Sequence, residues 1–251
     1  MSENYWDKNE RNEYWKERIK ATGSEVATET KASGLTQFMT QIFTWMAFGL
    51  GITGIASAVT IQSEALLGLI FGTPLLWVLI IGELALVIWF GVALRKGASA
   101  TKLLTMFLVY SALNGLTLSA IFLIYAVGTI AQAFFVTAGT FGAMALYGYV
   151  TKKDLSGIGY FARMALFGLI IAMVANFFMQ SAMMDYVISL IGVGVFTILT
   201  AYDTQKLKNY YHQNAANEEG LKRMAIGGAL MLYLDFINLF LFILRLMGGR
   251  R

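Results

Sequence analysis

The sequence predicts an all-α membrane protein with seven transmembrane helices, and three observations carry that expectation. Hydrophobic residues make up 57% of the 251 residues and charged residues only 14%, against about 25% charged in ordinary soluble domains. The apolar residues fall in runs long enough to cross a bilayer, and the connections between the runs are short. A soluble fold of this length leaves roughly a quarter of its unfolded surface in water, which so apolar a chain cannot tolerate. Lipid must therefore be the solvent for most of it. Cysteine never occurs, so disulfides, thiolate metal sites and cysteine nucleophiles are excluded.

The first element is a charged tail, residues 1–34, with six Lys/Arg and seven Asp/Glu among them. It contains Tyr5, Trp6, Tyr14 and Trp15 but no long apolar run, so it lacks the basic start and apolar core of a secretory signal. A solvated cytoplasmic tail is expected, disordered or partly helical, with helix over 14–20 and the aromatics resting on headgroups. Residues 35–251 form the transmembrane domain. A spanning helix needs about 20 apolar residues, and seven stretches qualify: 35–60, 73–94, 103–127, 130–150, 158–178, 184–202 and 224–247.

Within the first stretch, Gly49-Leu-Gly-Ile-Thr-Gly54 matches the dinucleotide fingerprint. That motif works only as the turn between a strand and a helix, and no strand precedes it. Ala47, Gly51, Gly54 and Ala58 share one helical face, where small residues let neighbouring membrane helices approach, so helix packing is expected there. Glu83 sits mid-way along the second stretch. Arg163 lies near the start of the fifth and is expected to snorkel to the interface. His212, the sole histidine, falls in the polar stretch 209–220 and reads as a solvated loop residue, which argues against a Ser–His dyad.

Orientation follows from basic residues in short loops. Connections after the second, fourth and sixth stretches carry Arg95, Lys96, Lys102, Lys152, Lys153, Lys206, Lys208, Lys222 and Arg223. Those after the first, third and fifth carry none, so the N-terminus is expected in the cytoplasm. The seventh stretch allows two readings. Crossing leaves Arg250 and Arg251 on the other side; entering and returning keeps them inside. Its 24 residues span about 36 Å as a helix against ~30 Å of hydrocarbon, which favours crossing.

Three carboxylates then stand at membrane depth or beside it: Glu83, Asp203 and Asp235. An acid at the bilayer centre costs about 2.5–3.5 kcal/mol on insertion scales, so such groups face protein or a water-filled cavity. Asp203 closes the sixth stretch at its cytoplasmic edge, where pairing with Lys206 one turn on is an equal reading. Asp235 lies near the middle of Leu-Tyr-Leu-Asp-Phe-Ile-Asn-Leu-Phe-Leu-Phe-Ile-Leu-Arg (232–245), with Asn238 one turn away and no cation nearer in sequence than Arg245. It must find a partner on another helix, hold a proton, or touch water. Burial and a second carboxylate both disfavour the ionised form, which makes a proton sensor or an ion site.

These residues also carry a family likeness. Tyr202-Asp203-x-Gln205-Lys206, the run 232–240 around Asp235, and Asn114-Gly-Leu-Thr-Leu-Ser119 resemble motifs of the Bax inhibitor-1 family, from about residue 35 to 247. The resemblance implies two three-helix layers around a central C-terminal helix that crosses the membrane. It also implies a pH-sensitive calcium leak channel of the bacterial cytoplasmic membrane, in which Asp203 and Asp235 share a proton and meet calcium transiently. Arg95 best matches an arginine that latches onto the first aspartate, with Lys96 the alternative register. Glu83 matches an acid near the conduction path, and Asn114 and Asn238 are supporting polar groups. Calcium is then a permeant ion rather than a cofactor, and no nucleic acid is expected as a partner. On helical arithmetic alone Asp203 is shallow and Asp235 deep; they meet only if the sixth helix continues past Lys206 or the seventh starts deeper.

Two other functions compete. An intramembrane aspartyl protease has Tyr-Asp on one helix and Gly-x-Gly-Asp on the next; here the second reads Leu232-Tyr-Leu-Asp235, and the sole proline, Pro74, precludes the Pro-Ala-Leu element. No enzyme is expected. A membrane interaction protein that restrains another membrane protein, such as a quality-control protease, is the alternative, with the charged tail as its contact.

Overall fold

A computed structural model describes residues 8–248; within 8–32 it describes the side chains of Glu13, Lys16, Glu17, Arg18 and Lys20 alone. Tyr5, Trp6, Arg250, Arg251 and the side chains of Tyr14 and Trp15 lie outside the described residues, and the expected headgroup contacts of the tail lie there with them. The described elements are all helices: α1 (Lys8–Ile61), α2 (Glu64–Phe71), α3 (Leu75–Arg95), α4 (Ala100–Leu118), α5 (Ala120–Ile124), α6 (Val127–Val150), α7 (Ser156–Met179), α8 (Ala182–Asn214) and α9 (Glu218–Met247). Seven stretches are long and apolar enough to cross a membrane: Ser33–Ile61 of α1, Ala100–Ile124 across α4 and α5, and α3, α6, α7, α8 and α9. The chain is an all-α integral membrane protein. Helix is what lipid demands of such sequences, because each backbone N–H and C=O must be satisfied within its own segment.

Helix starts are fixed by side-chain caps. Ser99, Ser181 and Asn217 accept from the backbone N–H of Lys102, Met184 and Gly220, at 3.4, 3.3 and 2.9 Å, satisfying donors that the first turn leaves orphaned. Gly97, at φ 73°, turns the chain from α3 to α4 in a conformation that side chains resist. Its carbonyl accepts from Arg223 Nη1 at 2.9 Å, which brings that turn to the start of α9. The α6–α7 turn is held at the same end. Gln205 of α8 accepts from Leu155 N at 2.9 Å and donates to the Lys153 carbonyl at 2.7 Å. Lys208 Nζ donates to the Tyr149 and Thr151 carbonyls at 2.7 and 3.0 Å, at the C-terminus of α6 where backbone acceptors lack helical donors. The basic residues thus gather at one end of the bundle.

Those bonds explain the largest departures from the sequence reading. The apolar run of the sixth span stops at Tyr202, but α8 continues to Asn214, about 50 Å in all. Lys206, Lys208 and Asn209 look like loop because they are polar, yet they continue a helix that has outgrown the ~30 Å hydrocarbon layer. His212 accordingly lies on the last turn of α8, exposed, and not in a loop. The seventh span likewise begins at Glu218 and runs unbroken through Gly227 and Gly228 to Met247, as crossing requires. At the other terminus, helix occupies the whole of 8–32 rather than 14–20 alone.

The close approach of α1 to α4 also differs in detail. A Cβ added at Gly51 or Gly54 would meet nothing within 4 Å, whereas one at Gly49 would strike Phe107 and Ser111, and one at Gly115 would lie 2.6 Å from the Thr53 carbonyl and from Ala56. The packed face is therefore Gly49, Thr53 and Ala56, one step round from Ala47, Gly51, Gly54 and Ala58.

The last helix is the axis of the bundle. α9 packs on α8, α1, α6, α4 and α3, and 78% of its apolar window is buried, against 6% for α3 and 17% for α7. A helix apolar on every side belongs either in lipid or in a protein core; α9 is in the core. That placement shields Asp235 from lipid.

Candidate functional site

Three buried acids meet at one cavity of about 540 Å³. Glu83 from α3, Arg163 from α7, Asp203 from α8, and Asp235 and Asn238 from α9 all line it, with Tyr110 of α4. The acids Glu83, Asp203 and Asp235 are buried, with relative exposures of 9, 8 and 5%. The extension of α8 past Lys206 is what lets Asp203 sit inside the bundle rather than at its rim. Asp203 of α8 and Asp235 of α9 line the cavity together with Arg163, and Lys206 follows Asp203 one turn on along α8. Among the described residues, no three acidic or histidine side chains stand close enough to chelate a metal.

The acids differ in how they are satisfied. Glu83 receives Asn114 Nδ2 on Oε2 at 3.1 Å and the Thr117 hydroxyl on Oε1 at 2.9 Å. Asn114 in turn accepts from the Tyr233 hydroxyl at 2.9 Å, and that hydroxyl is 2.6 Å from Thr53 Oγ1. Glu83 thus ends a polar chain running from α1 through α9 and α4 to α3. Tyr233 is fully buried and clasped edge-on by Phe107 and Tyr110, with ring centroids 5.6 and 5.9 Å away. Asp235 has no such support: its Oδ2 is buried and receives no hydrogen bond. An unsatisfied buried polar atom costs free energy comparable to the bond it lacks. Asn238 gives that oxygen no bond; its Nδ2 donates to the Leu234 carbonyl of its own helix at 2.8 Å.

The structure brings Asp203, Asp235, Glu83 and Asn238 to the cavity, and Asn114 to its wall through Glu83. Arg95 is not among the lining residues; its Nε donates to the Gly91 carbonyl one turn back at 3.4 Å. The arginine at the cavity is Arg163, whose guanidinium lies 4.5 Å from the centroid of the Tyr202 ring and donates to the Tyr202 hydroxyl. Gly159 admits that ring, since a Cβ there would run into it. Sequence reading gave Arg163 to the interface and left Tyr233, Thr117 and Thr53 unassigned. The available signal was that Tyr233 sits two residues before Asp235 in the same motif, and that hydroxyl and amide groups recur in otherwise apolar spans.

Comparison with known proteins finds relatives along most of the chain. Residues 35–251 match the family model described as inhibitor of apoptosis-promoting Bax1. An inner membrane protein of Escherichia coli, YbhL, is 47% identical over 221 residues, covering 87% of this chain and 94% of that protein. An uncharacterised protein of Rickettsia prowazekii is 40% identical over 223 residues, covering 89% and 94%. An uncharacterised membrane protein of Streptococcus pyogenes is 40% identical over 218 residues, covering 86% and 93%.

Proposed function

The chain belongs to the Bax inhibitor-1 family, and from that premise we propose that it is a pH-sensitive calcium leak channel with Asp203 and Asp235 as its proton-exchanging pair. One observation supports the reading above the others: a cavity at membrane depth lined by three acids, one of which has a buried oxygen that no protein group satisfies. Such an oxygen is stabilised by a proton, a cation or a water. Two acids acting on each other across a cavity titrate as a pair, so each proton exchanged changes the charge that a passing cation meets. Carboxylate oxygens suit a hard divalent ion. Arg163 and Lys206 stand ready to compete with that ion for Asp203. Arg95 enters only in a rearranged state, because here it is engaged with Gly91.

The basic end of the bundle is the cytoplasmic one on this reading, which places the N-terminus in the cytoplasm. The YbhL relative, named as an inner membrane protein, supports the cytoplasmic membrane as its location. Calcium flux into proteoliposomes across a pH series tests the proposal. Asp235→Asn and Asp203→Asn should each flatten a wild-type response of about tenfold between pH 6 and pH 8 to less than about twofold. Unchanged profiles in both variants would remove the sensor.

A second reading, restraint of another membrane protein, draws on one feature: α1 continues without interruption from the charged residues at its start into the first span. At about 81 Å for its 54 residues, it is a rod that carries charge far beyond the bilayer. Deleting residues 2–30 should leave flux intact and abolish partner binding, read by co-purification from the membrane; flux lost with the deletion would count against a separate partner role.

A further inference from the structure

The acidic cavity does not stand alone. At the end of the bundle opposite the basic turns, a vestibule of about 820 Å³ is lined by Asn176, Gln180, Ser181, Asp185 and Arg245, among others. A smaller cavity of about 270 Å³ follows it, sharing Asn176, Asp185 and Arg245 with the vestibule and adding Met173. Met173 also lines the acidic cavity. The three spaces therefore follow one another through shared wall residues, with Met173 standing between the last two.

Phe242 of α9 has the acidic cavity on one side and Arg245 of the smaller cavity against its ring. It lines the acidic cavity and is buried, its ring 5.8 Å from that of Phe196. Gly192 of α8 makes room for it, since a Cβ there would lie 2.6 Å from the ring. One turn further along α9, the Arg245 guanidinium lies 5.4 Å from the ring centroid. The ring thus lies between the Gly192 backbone and the Arg245 guanidinium. An apolar constriction obstructs ions by excluding water, and the guanidinium at its mouth, with Asp185 lining the same cavity, adds a charge that a cation must pass.

We propose that Phe242, with Met173 opposite and Arg245 above, is the constriction separating this vestibule from the acidic cavity, and that the Arg245 charge sets the entry of cations there. It rests on the reading of the acidic cavity as an ion path, but its test does not depend on calcium. The chain has no cysteine, so single cysteines report cleanly. Asn176→Cys marks the vestibule and Asn238→Cys the acidic cavity.

Applied to proteoliposomes from the vestibule side, a membrane-impermeant methanethiosulfonate should modify Asn176→Cys quickly and Asn238→Cys slowly. Adding Phe242→Ala should speed modification of Asn238→Cys by roughly tenfold or more. Met173→Ala, a change on the less buried wall, should act in the same direction if the Phe242 variant fails to fold. Arg245→Gln should speed a cationic reagent more than an anionic one of equal size. Rates at Asn238→Cys that ignore both Phe242→Ala and Met173→Ala overturn the constriction, and equal effects of Arg245→Gln on both reagents overturn the charge. Faster modification without any calcium flux upholds the constriction and sinks the calcium reading alone.

Discussion

Glu83 of α3 and Asp235 of α9 line the same cavity, and the chain treats them in opposite ways. Glu83 is given a donor for each oxygen, and the first of those donors is itself fixed by Tyr233, which Thr53 meets in turn. Asp235 is surrounded by Leu, Phe and Ile and left with an oxygen that nothing holds. A satisfied carboxylate has little to gain from a visiting proton or ion; an unsatisfied one has a great deal. On the proposed reading, the contrast separates an acid held in place by its donors from one that responds to its surroundings.

Three changes break or sharpen that contrast. The largest effect is expected from Glu83→Gln, which keeps the shape, turns one of the two acceptor oxygens into a donor and removes the carboxylate. Calcium flux should fall by roughly tenfold through loss of local cation attraction, while its pH midpoint stays at the wild-type value; a moved midpoint would make Glu83 part of the sensor. Next, Asn114→Leu strands one oxygen of Glu83 and the Tyr233 hydroxyl. It should cost about 1–3 kcal/mol of stability, read as a lowered melting temperature in detergent, with the pH profile of flux retained. The smallest effect is expected at Asp154, in the turn before α7 and outside the spans. Its carboxylate accepts from the Ser156 N–H at 2.9 Å, and hydrogen bonds from Ser156 hold it below the usual carboxylate range. A depressed group stabilises the fold above its unfolded value and loses that contribution as pH falls through the folded one. Asp154→Asn should therefore leave melting nearly unchanged when both forms are compared in strong acid, with any difference confined to higher pH.

The bundle was legible in the sequence wherever apolarity alone decides. Seven runs became seven spans, because a run of 20 apolar residues has no other solvent. What apolarity could not show was helix carried on polar residues. The stretch from Lys206 to Asn214 reads as loop until Gln205 and Lys208 are seen bonded to the α6–α7 turn, and bonds between residues some fifty to sixty apart leave no local pattern. The candidate site was legible in part. A carboxylate in the run around Asp235 announces itself, and so does Glu83. That Asp203 shares their cavity followed from a family likeness and not from helical arithmetic, which placed it too shallow. Arg163 is exposed near the start of α7, as a snorkelling arginine would be; what its local sequence could not show is its partner Tyr202, which comes from another helix.

The burial of α9 has a consequence for how the molecule is made. Translation delivers this helix after the other six spans, yet it is the one that packs against five other helices. Inserted alone, it would expose Asp235 and Asn238 to acyl chains; inserted into a waiting socket, it exposes almost nothing. Its arrival is therefore the assembly step that closes the bundle, and a nascent chain halted before it is left with an open slot where its own axis belongs.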